Sequence, residues 1–146
     1  MSSTGKNISS ALIDGIYAVL NGNVTVSSVT YKVLKEQRRD ATNRAYVWIG
    51  NVIDVENGTK DDFIYDGSIV IESVDERQVY NTARATAQSI SDKVRSLLQT
   101  SKGSTFSVTG FTLTYFRHGS SRELYEQTRD KRERVRIIDI FEFQIQ

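Results

Sequence analysis

The chain has 146 residues, and its 19 Lys and Arg against 18 Asp and Glu give a net charge of +1. It contains no cysteine, which excludes disulfides, thiolate metal sites and cysteine nucleophiles. The even charge balance argues against a protein whose main ligand is the phosphate backbone of a nucleic acid, so any electrostatic role must be local. The length predicts a single domain over residues 1–146.

The first third of the chain predicts one helix and two short strands. Apolar residues at helical spacing predict a helix over Ile8–Leu20, with Asn7 as its N-cap. Strands are predicted near Val24–Val26 and Thr30–Lys35. The polar, basic segment 35–44 that follows is interpreted as an exposed connection.

The middle of the chain predicts a hairpin followed by a long helix. Aromatic and β-branched residues predict a strand over Ala45–Val55, which leads to Asn57-Gly58, the favoured pair for a type I′ turn. The next strand alternates in its apolar residues up to Glu72, and we expect it to pair antiparallel with the first. After the charged link 75–77, the apolar spacing changes to that of a helix over Val79–Leu98.

The last third predicts two strands separated by a polar connection. The first covers Phe106–Phe116, with a bulge at Gly110-Phe111, and the polar stretch Arg117–Glu133 follows it. The closing strand, Arg134–Ile145, is unusually long, so we expect it to bend or to project as an arm. The predicted fold class is α+β: a mostly antiparallel sheet of about four to five strands with two helices packed on one face.

Few residues offer catalytic chemistry. His118 is the only histidine; it could act with nearby carboxylates, but its surroundings are typical of a turn. No nucleophile elbow, phosphate loop or dinucleotide fingerprint is present. The acidic group around Asp61-Asp62 matches no calcium loop, and a solvated hairpin tip explains it better. We therefore expect no enzyme, no catalytic residue, no cofactor and no metal.

Two oppositely charged segments suggest an interface between copies. Residues 54–66 carry five acids against Lys60, and residues 32–44 carry five bases against Glu36 and Asp40. The alternative is that these are simply charged loops. If the patches meet head to tail, they would close a ring, and replacing Arg38 and Arg39 by Glu should weaken it. The candidate interface residues are Arg38, Arg39, Arg44, Asp54, Glu56, Asp61 and Asp62.

A second basic segment covers residues 129–136. Its candidate contacts with DNA or a partner are Arg129, Lys131, Arg132 and Arg134. Interspersed acids and the lack of an aromatic platform favour a solvated connection instead. The amino terminus lacks the apolar core of a secretory signal, and no apolar run reaches the length of a bilayer, so we expect a soluble protein that is not exported and does not contact membranes.

From Ile8 to Phe143 the order of elements resembles the tail-completion and tail-terminator proteins of tailed bacteriophages. The segments that carry the resemblance are Leu20-Asn21-Gly22, Tyr46-Val47-Trp48-Ile49, the acidic hairpin leading into residues 65–73, the helix over Ala83–Leu98 and the strand over Ile137–Phe143.

This resemblance implies a protomer that forms a ring at the head-tail junction, as a tail terminator or neck connector, without catalysis or a cofactor. Its implied partners are further copies of itself and other neck and tail proteins, with DNA passing transiently through the ring. The implied location is the virion, assembled in the host cytoplasm. The alternative interpretation is a cytosolic, non-catalytic interaction or adaptor domain.

Overall fold

Two helices lie on one face of a five-stranded sheet in the computed structural model, which describes residues 8–35, 45–56, 64–99, 106–128 and 131–146. For residues 54–56 it describes the backbone alone. The predicted α+β class is confirmed. The elements are α1 (Ile8–Leu20), β1 (Thr25–Val26), β2 (Val29–Thr30), β3 (Lys32–Leu34), β4 (Tyr46–Glu56), β5 (Tyr65–Arg77), α2 (Tyr80–Leu98), β6 (Leu113–Gln127) and β7 (Glu133–Ile145).

The strands of the large sheet follow the order β3-β4-β5-β7-β6, and all neighbours are antiparallel except β3 and β4. The antiparallel pairing of β4 with β5 is confirmed, although the turn at Asn57-Gly58 lies outside the described residues. The strand expected over Thr30–Lys35 is instead divided, because the Tyr31 N–H donates to the Val24 carbonyl at 2.8 Å. Its first part pairs with β1 in a separate hairpin, and its second part joins the large sheet.

The core lies between the helices and the facing side of the sheet. Helix α1 has the bounds that its periodicity predicts, and α2 begins one residue later than predicted. Both helices bury one stripe of apolar residues, as amphipathic helices do on a sheet. The buried residues include Ile8, Leu12, Ile16 and Leu20 from α1, Ala83, Ala87, Ile90, Val94 and Leu98 from α2, and Val33, Val47, Ile49, Ile69, Ile71, Phe116, Val135, Ile137, Phe141, Phe143 and Ile145 from the sheet.

The charged link expected at residues 75–77 is wrong, because these residues form the end of β5. Each of them pairs with β7, and the pairing of the two strands extends over 13 residues without a break. Asp75 and Glu76 are buried there. Their charges are satisfied by arginine side chains, one of which belongs to a strand far along the chain, so local sequence gave no sign of it.

The polar connection expected over Arg117–Glu133 is also wrong over most of its length, because residues 117–127 continue β6. This strand lies at the edge of the sheet, and its outer half is exposed, which explains its polar composition. The bulge expected at Gly110-Phe111 is a chain reversal: Gly110 has φ +86°, and the Phe111 N–H donates to the Val108 carbonyl at 3.1 Å. Strand β6 begins only at Leu113.

The long closing strand is confirmed, but the projecting arm is wrong. Strand β7 lies inside the sheet and is paired along its whole length, with β5 on one side and β6 on the other. Its inward-facing residues alternate as predicted; they are Val135, Ile137, Asp139, Phe141, Phe143 and Ile145.

Candidate interaction surfaces

The predicted head-to-tail contact falls largely on residues that the structure does not describe. Asp54 and Glu56 lie in β4, opposite Gly67 and Tyr65 of β5, near the end of the sheet where the chain passes from β4 to β5. The predicted contact is therefore still untested. Its members outside the described residues are Arg38, Arg39, Arg44, Asp61 and Asp62.

The predicted basic segment lies at the opposite end of the sheet, where the chain passes from β6 to β7. Arg129 is outside the described residues, and Lys131 has φ +61°. The Lys131 N–H donates to the Thr128 carbonyl at 3.0 Å, and the Thr128 N–H donates to the Arg132 carbonyl at 2.8 Å. Within the described part of the chain, the side chains of Lys131 and Arg132 form no ion pair.

Arg134, unlike Lys131 and Arg132, forms ion pairs with described residues. Its guanidinium lies 3.0 Å from Glu76 and 3.5 Å from Glu126, and neighbouring Arg136 lies 2.7 Å from Glu72. The Glu72 side chain is only 6% exposed, so its charge depends on this arginine. The hydrogen bond to Glu72 raises the pKa of Arg136 above its ordinary value. These pairs hold β5, β7 and β6 together on the sheet face away from the helices.

His118 lies within β6 and not in a turn, so that prediction is wrong. Its Nε2 is 2.9 Å from Oδ1 of Asp139, which is fully buried, and Oδ2 of Asp139 accepts a 2.5 Å hydrogen bond from the Ser91 hydroxyl. The carboxylate thus separates the serine from the histidine. In a catalytic triad the histidine lies between the serine and the acid, whereas here the acid lies between the serine and the histidine. This arrangement ties α2 to the sheet.

A polar cleft of about 420 Å³ lies beside this group, between α2 and β6. Arg84 pairs with Glu123 across it at 3.0 Å, and Arg95 pairs with Asp92 at 2.7 Å. Ligand pockets are usually apolar with a few polar groups that fix the ligand, whereas this lining is mostly polar and its charged residues are largely ion-paired. Arg95 Nε is buried without a hydrogen-bond partner among the described residues. In the part of the chain that the structure describes, no His, Asp and Glu side chains are grouped to hold a metal. The lining residues are Arg84, Gln88, Ser91, Asp92, Arg95, Ser121, Glu123 and Ile137.

A second buried carboxylate, Asp75, also lies beneath α2. It accepts hydrogen bonds from the Glu76 N–H at 3.0 Å and from Arg77 Nε at 2.9 Å. Burial raises the pKa of Asp75 above its ordinary value, against the opposing effect of Arg77. Sequence reasoning missed this residue because a run of three charged residues, Asp75-Glu76-Arg77, is typical of a loop.

An aromatic corner joins the start of α2 to the exposed half of β6. The rings of Tyr80 and Tyr125 meet edge to face, with centroids 4.8 Å apart. Tyr80 donates a hydrogen bond to Glu123 at 3.1 Å, and Tyr125 donates one to Glu133. Desolvation and then the hydrogen bond to Glu123 raise the pKa of Tyr80, whereas the hydrogen bond to Glu133 is the larger cause that raises the pKa of Tyr125. Tyr125 is nevertheless 52% exposed, so this corner contributes to the outer surface.

The fold is of the α+β class, with both helices on one face of the sheet and the ion pairs of Glu72 and Glu76 with Arg136 and Arg134 on the other. No family model and no curated protein matches this chain. Among solved structures, it is similar to a chain in the virion of a native gene transfer agent particle, with a TM-score of 0.67 and 15% sequence identity. The similarity covers 92% of this chain and 96% of that chain, and at this identity it is a similarity of fold. Neither described helix is long and apolar enough to cross a membrane.

Proposed function

We propose that this chain is a structural protein of a virion of the tailed-phage type. The observation that carries the proposal is the shared fold with a chain of a gene transfer agent virion. Because the similarity covers nearly the whole of both chains, it concerns the complete arrangement of helices and strands and not a common supersecondary motif.

Within that class, the proposed role is a ring at the head-tail junction, as a tail terminator, tail-completion protein or neck connector. The resemblance in the order of elements supports this role. The placement of charge supports it too, since the acidic stretch containing Asp54 and Glu56 and the basic turn at Lys131 and Arg132 belong to opposite ends of the sheet. Thirteen paired residues at about 3.3 Å each separate the two ends by roughly 40 Å.

Such a separation suits contacts between different surfaces of neighbouring subunits, which close into a ring when the rotation allows it. The proposed partners are further copies of this chain and other neck and tail proteins, with DNA passing through the ring. The proposed location is the assembled virion.

The test is the assembly state of the purified protein, measured by multi-angle light scattering across concentration with negative-stain images of the largest species. We expect closed rings of one size. The double variants Arg38→Glu/Arg39→Glu, in the basic segment expected to meet the acidic stretch, and Lys131→Glu/Arg132→Glu, at the basic turn, should each reduce the ring fraction. Lys93→Glu, a charge reversal on α2, serves as the control. A protein that forms no closed ring at its highest soluble concentration would contradict this role.

A further inference from the structure

The exposed half of β6 has one side paired and one side free. From Ser120 to Gln127 it pairs with β7 in an unbroken register, beyond the irregularity between His118 and Ser120. Strand β6 ends the order of the sheet, so no other strand within the described ranges pairs with its outer side. Antiparallel bonding alternates along a strand, so every second residue here directs its N–H and C=O outward.

The side chains along this free edge carry a short self-complementary pattern. Arg122, Leu124 and Glu126 lie on the face away from the helices, opposite Ile138, Arg136 and Arg134 of β7. Arg122 is exposed and makes no ion pair with any described residue. Glu126 is 44% exposed and is held only loosely, at 3.5 Å from Arg134 and 3.7 Å from Arg136. A cation and an anion thus flank an apolar residue at equal spacing.

We propose that a second copy of this chain docks on the β6 edge, antiparallel, about a two-fold axis through Leu124. In this register Arg122 of each copy faces Glu126 of the other, so the ion pair forms twice. Leu124 faces Leu124 of the second copy. On the opposite face of the sheet, Glu123 faces Tyr125 of the second copy. The two five-stranded sheets become one, with all four helices on the same side.

Charge selects this register among those that keep the helices on one side. Moving the axis to Arg122, Glu123 or Glu126 places that charge directly opposite its own copy, which destabilises a strand pair. Moving it to Tyr125 places Arg122 opposite Thr128 and Glu126 opposite Leu124, so neither charge gains a partner. The axis at Leu124 alone pairs both charges with the opposite sign.

This contact goes beyond the proposed function and does not rest on it. A two-fold contact uses one surface twice and is complete with two copies, whereas a ring contact joins two different surfaces. Eight residues of strand form a small interface, so the dimer belongs to the weak, reversible class.

The chain has no cysteine, so a single introduced thiol tests the register directly. Residues directly opposite in an antiparallel pair have Cα atoms about 4.5–5.5 Å apart, within the range that a disulfide spans. Leu124→Cys should therefore form a disulfide-linked dimer under mild oxidation, and dithiothreitol should reverse it. Arg122→Cys is the matched control, because its two copies would lie about 13 Å apart along the strands and should not link. A mixture of Arg122→Cys and Glu126→Cys should link as a heterodimer.

Sedimentation equilibrium on the unmodified chain provides the second measurement. The wild type should dimerise reversibly with rising concentration. In Arg122→Glu the new glutamate of each copy would lie opposite Glu126 of the other, and this repulsion should lower the association constant at least tenfold. Lys93→Glu should leave it unchanged. Two results would overturn the proposal: a wild type that stays monomeric, or equal disulfide linking by Leu124→Cys and Arg122→Cys. The charges on β6 would then be interpreted as a means of preventing strand pairing at the exposed edge. Equal linking leaves the ring proposal as it stands, whereas a strictly monomeric wild type would count against both contacts. The disulfide test therefore separates the two proposals.

Discussion

Ser91 of α2 donates a 2.5 Å hydrogen bond to Asp139 of β7, a residue 48 positions further along the chain, and the same carboxylate contacts His118 of β6. One buried acid therefore joins the long helix to two strands. The Asp139 side chain has no access to solvent, and within the described residues Ser91 and His118 are its side-chain partners.

Replacing Asp139 by Ala should destabilise the fold by about 2–3 kcal/mol, because it leaves the Ser91 hydroxyl and the His118 ring without their partner. The measurement is the free energy of unfolding in denaturant. Asp92→Ala is the control, because it removes an exposed acid from α2, next to Ser91. It should lower the free energy of unfolding by less than about 1 kcal/mol. Equal losses in the two variants would show that the buried network contributes nothing specific.

The Asp75 carboxyl should make stability depend on pH. Burial raises its pKa in the folded state above the unfolded value, so the folded chain binds the proton more tightly. Between the two pKa values the contribution of this group to stability falls as the pH rises. Asp75→Asn lacks this titrating group. As the pH is raised from 4 to 7, the unfolding free energy of the wild type should therefore fall relative to that of Asp75→Asn. Parallel pH profiles would contradict the burial effect.

Arg136→Met should destabilise the fold by about 2–3 kcal/mol, because it leaves the Glu72 carboxylate buried without its partner. Arg117→Met is the matched control on β6. It breaks the ion pair with Glu142, in which both side chains are about half exposed or more, and should cost less than about 1 kcal/mol. Thermal unfolding of the two variants side by side distinguishes the pairs, and a smaller loss in Arg136→Met would show that Glu72 finds another partner.

Gly15→Ala should destabilise α1 although alanine is the better helix former. A Cβ at this position would lie 2.8 Å from the Ser107 carbonyl oxygen, so the helix and the 106–108 segment must separate. We expect a net loss of about 1–2 kcal/mol by chemical denaturation. Ala18→Gly, at an exposed position of the same helix, measures the difference in helix propensity between alanine and glycine alone. It should lower the free energy of unfolding by about 1 kcal/mol. A stabilised Gly15→Ala protein would show that the two segments separate at no cost.

The parts of the fold that follow from short-range periodicity were predictable. The stripe on α1 and the alternation along β7 set one buried face each, so their bounds were predicted to within a residue. The end of β5 and most of β6 were not, because charged residues are typical of loops unless their partners are known. Those partners lie far away in the sequence, as in the pair of Glu76 with Arg134.

The candidate sites were less predictable than the fold, for the same reason. Arg134 was grouped with its basic neighbours, and only the sheet register brings it to Glu76 and Glu126. The buried network at Asp139 left one sign in the sequence, an acid within an otherwise apolar alternation. Nothing local indicated that Ser91 and His118 would be its partners.

The position of β7 has a consequence for biosynthesis. The strand that lies between β5 and β6 is translated after both of them, so until it leaves the ribosome β6 has no partner in the sheet and β5 has only β4. Until then the apolar sides of β4, β5 and α2 have only a partial cover. Sheets completed by distant pairings fold slowly, and their unfinished forms are prone to aggregate. The nascent chain is therefore at its most vulnerable just before its last strand emerges, and that interval is when a chaperone would bind it.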